Sequence, residues 1–420
     1  MVSVEQGYME ILSRPSGTAF RAANIAVPRV AAPPGARPHT GHHLTCQAVT
    51  TTVDFYGLEA AWTKLAAACR RPSAFGTWDF AVEWWRHFVL GQVGRATGRF
   101  QVIVVRDEDE SVVGIVPLYE ERTKGAAGVG LRLQPFGRSY SFEAMTDEPI
   151  ALFHRGCERA ALDAVRGYLI EHARAGTWDM AVIRGGQQGD HGRPAPLRLK
   201  RHTAEAVRAV EAPMLVRLPQ RWELFRKRLS KSMRDNLSYY PKRLDREVGA
   251  WAIRAARTAP EVALATEALI ALHHERSRSR LGKPHCNHIP TATHAAFMRG
   301  WFSRLARRGA ITLMVFETGA GIRAAQAFLE HPGGADVYYS GHGEDVYRFS
   351  ALTLITAAWL RLSIERGVAS VRFPPDSAPW SSRWGAAPGA PVDETSIYAM
   401  SGRTVLRAIA RRCYLSLHGD

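Results

Sequence analysis

The sequence predicts an α/β (α+β) chain of two similar units, each a mixed, mostly antiparallel sheet flanked by helices. Three observations carry this expectation. The first lies in residues 310–375, where β-rich runs at 311–317, 323–329 and 336–340 are cut by turn signals at 318–321, 331–334 and 341–343. The period then changes. Leu352, Ile355, Trp359, Leu362 and Ile364 recur at helical spacing, Gly367 stands where a helix C′ residue belongs, and residues 370–373 return to strand chemistry before Pro374 and Pro375. The second observation is that the N-terminal half runs in the same order of helices, β-meander, helix and strand, without a residue-level repeat. The third is length: 420 residues exceed one ordinary core.

Taken in order, residues 1–50 are rich in Ala, Pro, Gly, Arg and Thr and lack periodicity, so they read as a disordered extension. Residues 1–10 have no basic region followed by an apolar run, which argues against a signal peptide. A transit-type leader containing Arg14, Arg21 and Arg29 is the alternative. The first domain is expected over 51–205 and the second over 206–400, with 401–420 as a basic tail. Leu58, Trp62, Leu65 and Cys69 mark one helix, and Phe80, Trp84, Trp85 and Phe88 a second whose aromatic residues suit a core. Strands are expected at 100–106, 112–119, 131–136, 150–153 and 178–183, with a helix over 156–175 and a Gly/Pro-rich loop over 185–196.

In the second half a short strand at 214–218 leads into a basic amphipathic segment over 221–248. Pro241 is expected to kink or split it. A strand at 251–255 and helices at 260–280 and 293–308 follow, the helices separated by the Gly/Pro/His-rich loop 281–290.

Composition bounds function. Hydrophobic content of 46% with 22% charged residues describes a globular chain, and a formal charge of +16 favours anionic partners. No apolar run is long enough for a transmembrane helix. Five widely spaced cysteines without a CxxC pair point to a reducing, cytoplasmic setting rather than a disulfide framework or zinc site.

Certain residues resemble a known family. The segment 112–118 is similar to a characteristic strand pair of the GNAT-superfamily acyltransferases of the CelD (cellulose-biosynthesis) type, which are related to FemAB-like aminoacyl transferases. Leu218 and Trp222 followed by residues 229–237 resemble a second motif. Tyr338 to Gly341, Tyr347 and Ser350, a helix, then Glu365 to Gly367 resemble a third. The resemblance spans roughly Leu58 to Gly385 and implies tandem GNAT-like domains that move an acyl group from acetyl-CoA or another acyl-CoA to an amine or hydroxyl. The acceptor would be a small molecule or a glycan- or lipid-linked one, in polysaccharide or cell-envelope biosynthesis. An aminoacyl-tRNA-dependent transferase and a catalytically inactive GNAT-like binding subunit are the alternatives.

By the same resemblance the donor contacts fall on Tyr338, Tyr339, Ser340, Gly341, Arg348, Ser350, Ala351 and Leu352. Unsatisfied amides at a helix start suit the donor's phosphates, and Arg348 can add a charge-assisted contact. The chain departs from the family in lacking a glycine-rich pyrophosphate loop and in having Ser350-Ala351-Leu352 where Ser-Pro-Gly is common. Tyr347 is a candidate acid for the departing thiolate, against a packing tyrosine. His342 is a candidate base, against a turn histidine. Asp376 is a candidate for orienting an amine, against a solvated loop aspartate.

No metal is expected. His273 and His274 are adjacent and so diverge on a helix, and with Glu275, His285, Cys286 and His288 they form no HExxH spacing. The basic strip from Arg226 to Arg246 is a candidate polyanion contact, against a solvated helix face.

Overall fold

The structure, a computed structural model, describes residues 9–12, 44–125, 128–139, 151–173, 177–185, 198–200, 203–210, 213–282 and 284–399. Over these residues the chain forms two compact units, one from 44–210 with 390–399 and the other from 9–12 with 213–389. Strand β1 (Met9–Leu12) belongs to the second unit.

The first unit opens with β2 (Thr45–Val49), then α1 (Thr52–Gly57), α2 (Glu59–Ala68) and α3 (Trp78–Trp84), the last continued by a π-helical turn over Trp85–Val89. Thr51 and Thr77 start α1 and α3 by accepting the amides of Asp54 and Phe80. The expected aromatic residues are core: Phe55 packs against Trp78 and Trp85 at ring separations of 4.9 and 5.0 Å. A meander follows, β3 (Ala96–Arg106), β4 (Val112–Gly125) and β5 (Gly128–Pro135), with β6 (Leu152–Phe153) beside β4. Helix α4 (Glu158–Ala173) crosses to β7 (Met180–Arg184), which lies parallel to β5. Strands β8 (Arg198–Lys200) and β9 (Thr203–Val210) complete this part.

The second unit repeats the plan. After β10 (Met214–Arg217) come α5 (Trp222–Arg228) and α6 (Lys231–Glu247). Pro241 does not split the segment, since α6 runs through it. The chain breaks earlier, at Leu229, because the Ser230 hydroxyl accepts the Met233 amide and starts a new helix, while Arg234 donates to the Leu229 carbonyl. Next are β11 (Trp251–Ala256), α7 (Ala259–Arg278), α8 (Ala292–Arg307) and the meander β12 (Ile311–Thr318), β13 (Gly321–His331) and β14 (Gly334–His342). The Glu261 carboxylate anchors the start of α7 by accepting the amides of Arg257 and Thr258.

A four-residue helix, α9 (Glu344–Tyr347), stands between β14 and α10 (Ala351–Glu365), so α10 does not follow directly on the strand. Gly367 ends α10 at φ +76°, as its position predicts. Strand β15 (Ser370–Phe373) returns parallel to β14, and α11 (Ala378–Ser381) and β16 (Ala387–Pro388) follow.

The final strand, β17 (Val392–Ala399), corrects the expected boundaries. It pairs with β7 and β9, so the first sheet reads β2-β3-β4-β5-β7-β17-β9-β8. The second reads β1-β11-β12-β13-β14-β15-β10-β16. Hence the second domain does not run to residue 400, and β9 extends the first past residue 205. Residues 1–50 likewise contain two strands, since β1 pairs with β11 and β2 with β3. The tail 401–420 and most of the loop 185–196 lie outside the described residues.

In both sheets one parallel pair, reached through a helix, sits among antiparallel strands. In the second unit that pair is clamped. Arg372 on β15 donates Nε and Nη2 to the Asp336 carboxylate on β14 at 2.6 and 2.9 Å. Burial alone would raise the Asp336 carboxyl, yet Arg372 and His331 hold it well below the usual range. On the far side Trp359 of α10 stacks on Phe328 at 4.0 Å.

Replacing Arg372 by Leu strands a buried carboxylate and should cost about 3–5 kcal/mol in urea unfolding. Adding Asp336→Asn to that variant should recover much of the loss; equal midpoints for single and double variants would contradict the clamp.

Candidate functional site

The site lies at the C-terminal end of β14. This strand pairs with β15 only at Ala335–Val371 and Asp336–Arg372. Beyond the clamp, Pro374 and Pro375 take the chain away from strand geometry, and the β14 edge from Val337 onward runs without β15. Helix α7 covers the end of β14 closely. A Cβ at Gly341 would collide with the backbone of Leu272 and His273, so only glycine permits this approach.

His273 knits the end together. Its Nε2 accepts the His288 amide at 3.1 Å, which makes Nδ1 the donor to the Ser340 carbonyl at 3.0 Å. The ring is fully buried and both nitrogens are taken. Burial, reinforced by His288 and Arg276, depresses its pKa to about 4, and burial with Arg276 depresses that of His285 to about 3. His274 Nε2 meets the Ile289 carbonyl at 2.8 Å, which latches the loop after α7 a second time. Among the described residues no His, Cys, Asp or Glu group is arranged to hold a metal ion.

The predicted residues separate into those that face chemistry and those that do not. Tyr338 is core: it stacks on Tyr339 at 4.1 Å and meets Trp301 edge-on, and burial pushes its phenol up. Tyr339 stacks on His288 at 5.4 Å. The Ser340 hydroxyl accepts from Arg276 Nη1 at 2.8 Å. His342 and Tyr347 come together with ring centroids 5.7 Å apart. His342 Nδ1 donates to the Gly343 carbonyl at 3.1 Å, leaving Nε2 as the ring's lone-pair nitrogen. Burial holds this imidazole below its ordinary value, so it is neutral at pH 7. Tyr347 is 44% exposed, and its hydroxyl lies against Gly282 at the start of the loop.

Arg348 points away. It pairs with Glu247 at 3.3 Å and lies over the Phe349 ring. Ser350 takes a left-handed conformation, φ +52°, and its carbonyl accepts the Thr353 and Leu354 amides, whereas the Ala351 side chain is buried. Asp376 falls in the turn Pro375–Ser377, and its side chain lies outside the described residues.

Three further residues shape the electrostatics, of which the sequence reading named Glu275 only as part of a rejected metal cluster. Glu275 Oε1 accepts the Glu344 amide at 3.0 Å and receives Arg323 Nη2 at 3.3 Å. Arg323 also grips Asp345 at 2.7 Å. The amide that begins α9 is therefore already occupied by a carboxylate. Arg276, one turn from His273, is the third. A single arginine near a helix end carries no distinguishing pattern, so only the fold reveals it.

On the surface of α5 and α6, Arg226 bonds Ser238, Arg234 caps α5 and Arg243 pairs with Glu247. Lys227, Arg228, Lys231, Lys242 and Arg246 are exposed and form no ion pair among the described residues.

Comparison with known proteins agrees with this architecture. Residues 231–382 match the family described as the acetyltransferase (GNAT) domain. Among solved structures, FemX is 10% identical with a TM-score of 0.52, covering 87% of this chain and 100% of its own. A tandem GNAT protein from the clavulanic acid biosynthesis pathway is 14% identical, covering 85% of this chain and 99% of its own at a TM-score of 0.41. L-PGS from Bacillus licheniformis is 9% identical, covering 77% and 94% at a TM-score of 0.41. No curated protein matches the chain. The second unit thus has a GNAT-like fold, within a two-unit architecture like that of FemX. No helix of the described residues is long and apolar enough to cross a membrane.

The depressed histidines make a pH prediction. Both are neutral when folded near pH 7 but take up a proton near pH 6.5 when unfolded, so the unfolded state binds more protons as pH falls. Stability should drop between about pH 6.5 and pH 4, with His273 alone removing about 2 kcal/mol by pH 5. Urea midpoints at pH 7 and pH 5 for wild type and His273→Gln check this; an equal pH dependence in the two would contradict it.

Proposed function

We propose that the second unit is an acyltransferase that holds an acyl-CoA donor beside the free edge of β14 and passes the acyl group to an amine or hydroxyl. One observation carries this reading: β14 leaves β15 after Asp336 and ends in His342, a neutral imidazole with Nε2 unblocked, beside Tyr347. The family match over 231–382 supports a transferase. His342 takes the acceptor's proton, the acceptor attacks the thioester carbonyl, and Tyr347 protonates the departing thiolate. Main-chain amides near Ser340 and Gly341 are candidates for the oxyanion.

Because Glu275 fills the start of α9, the donor's pyrophosphate is assigned to the start of α10, at Ala351 and Leu352. That helix has fifteen residues and so a developed dipole. Asp376 is the candidate for orienting the acceptor amine. The finer reading, a cytoplasmic CelD-type enzyme of polysaccharide or cell-envelope biosynthesis acting on a small or glycan- or lipid-linked acceptor, rests on the sequence motifs. A second reading, aminoacyl-tRNA as donor, is favoured by the unpaired cations of α5 and α6, which suit a polyanion. Salt-dependent binding of bulk tRNA would support it over acyl-CoA.

Calorimetry with acetyl-CoA and longer acyl-CoAs, together with thiol release in the presence of amines, amino acids and amino sugars, tests the first reading. His342→Ala should cut kcat by about 10²–10⁴ while leaving donor affinity unchanged. No heat with any acyl-CoA, or unchanged turnover in His342→Ala, would overturn it.

A further inference from the structure

Arg276 is a cation in the wrong surroundings for one that is merely structural. Burial is the largest influence on its guanidinium and lowers its pKa, with the Tyr347 phenol opposing. Its hydrogen bond runs from Nη1 to the neutral Ser340 hydroxyl. Among the described residues it has no ion pair, and the carboxylates at this end of β14, Glu275 and Asp345, are both engaged by Arg323. The C-terminal turn of α7 offers Arg276 the negative end of a helix dipole, a modest and distributed attraction. Removing a guanidinium from water without a carboxylate is costly, and its fork of donors is matched by one anion type above others.

The covering loop repeats the imbalance. His285 Nε2 is shielded from solvent and has no hydrogen-bond partner, and its ring lies 4.9 Å from that of His273 and 5.7 Å from that of His288. The cluster therefore holds an unpaired cation and an unpaired polar nitrogen around Ser340, two residues before His342. A planar anion offers acceptors of the kind both groups lack.

Resting on the acyl-transfer reading, we propose that the acceptor carries a carboxylate, held by Arg276 while its amine or hydroxyl reaches His342. Amino acids and acidic sugars both have this chemistry. A donor phosphate would be an alternative anion, but the assigned phosphate position is at α10, on a different element from Arg276.

The test uses the full chain and two sets of probes. One is a series of amino acids, glycine, β-alanine, 4-aminobutyrate and glutamate, with the corresponding amides and methyl esters. The other is glucuronate and galacturonate, with glucose and galactose as neutral controls. Binding is read by calorimetry without donor, and acceptor use by thiol release from acetyl-CoA. Free acids should bind at least tenfold tighter than their neutral forms, in one series or the other, which identifies the source. Arg276→Gln should erase that preference and raise KM tenfold or more, Arg276→Lys should keep part of it, and the affinity for acetyl-CoA should stay within threefold. Far-ultraviolet circular dichroism and the retained donor affinity exclude a folding defect. Equal binding of acids and neutral forms would overturn the proposal, as would a tenfold loss of acetyl-CoA affinity in Arg276→Gln, which would assign Arg276 to the donor. If no acyl-CoA binds but the acids bind through Arg276, the acyl-transfer reading fails while the carboxylate site stands.

Discussion

An ionic clamp fixes the one parallel strand pair of the second unit. Asp336 and Arg372 tie β14 to β15 at the last position where the two strands are paired, and both partners are largely buried. In water such a pair is worth little, but here each partner is the other's compensation, so neither can be removed alone. The proposed site begins one residue later. The strands part, and β14 runs on toward His342 without β15.

The opposite face of β14 is set by closeness. Gly341 lets α7 approach until helix backbone and strand backbone touch, and His273 converts that contact into two directed hydrogen bonds. Arg323 bonds two acids at the start of α9, while Arg276 is left in partly dry surroundings with only a hydroxyl. An apolar sheet interior and a helix end together concentrate unpaired polarity at one point of the strand. Such concentrations of unmet charge and hydrogen-bonding capacity mark binding sites.

The second meander and α10 were legible in the sequence because the period of two gives way to one of 3.6, with Gly367 as punctuation. The tryptophan-rich first helices were legible as core for the same reason. Strand β17 was not. Its residues Asp393, Glu394, Thr395 and Ser396 carry no apolar pattern, yet they are buried, and Arg184 and Arg208 reach Glu394 at 2.7 Å each. A strand whose burial is made tolerable by distant arginines has no local signal. Pro241 misled in the opposite direction, for the break belongs to Ser230 as a helix cap. In the site, His342 and Tyr347 were each legible as candidates, and the structure brings their rings to 5.7 Å. The burial of Tyr338, the diversion of Arg348 to Glu247 and the prominence of Arg276 are products of packing between elements far apart in sequence.

The central claim is that the donor occupies the edge that β14 exposes beyond Asp336. Amide hydrogen exchange of the full chain with and without saturating acetyl-CoA tests it most directly. The account predicts added protection confined to residues 337–343 and the first turn of α10. Protection that appears only in the first unit, or in none of these segments while the donor is bound, would contradict it.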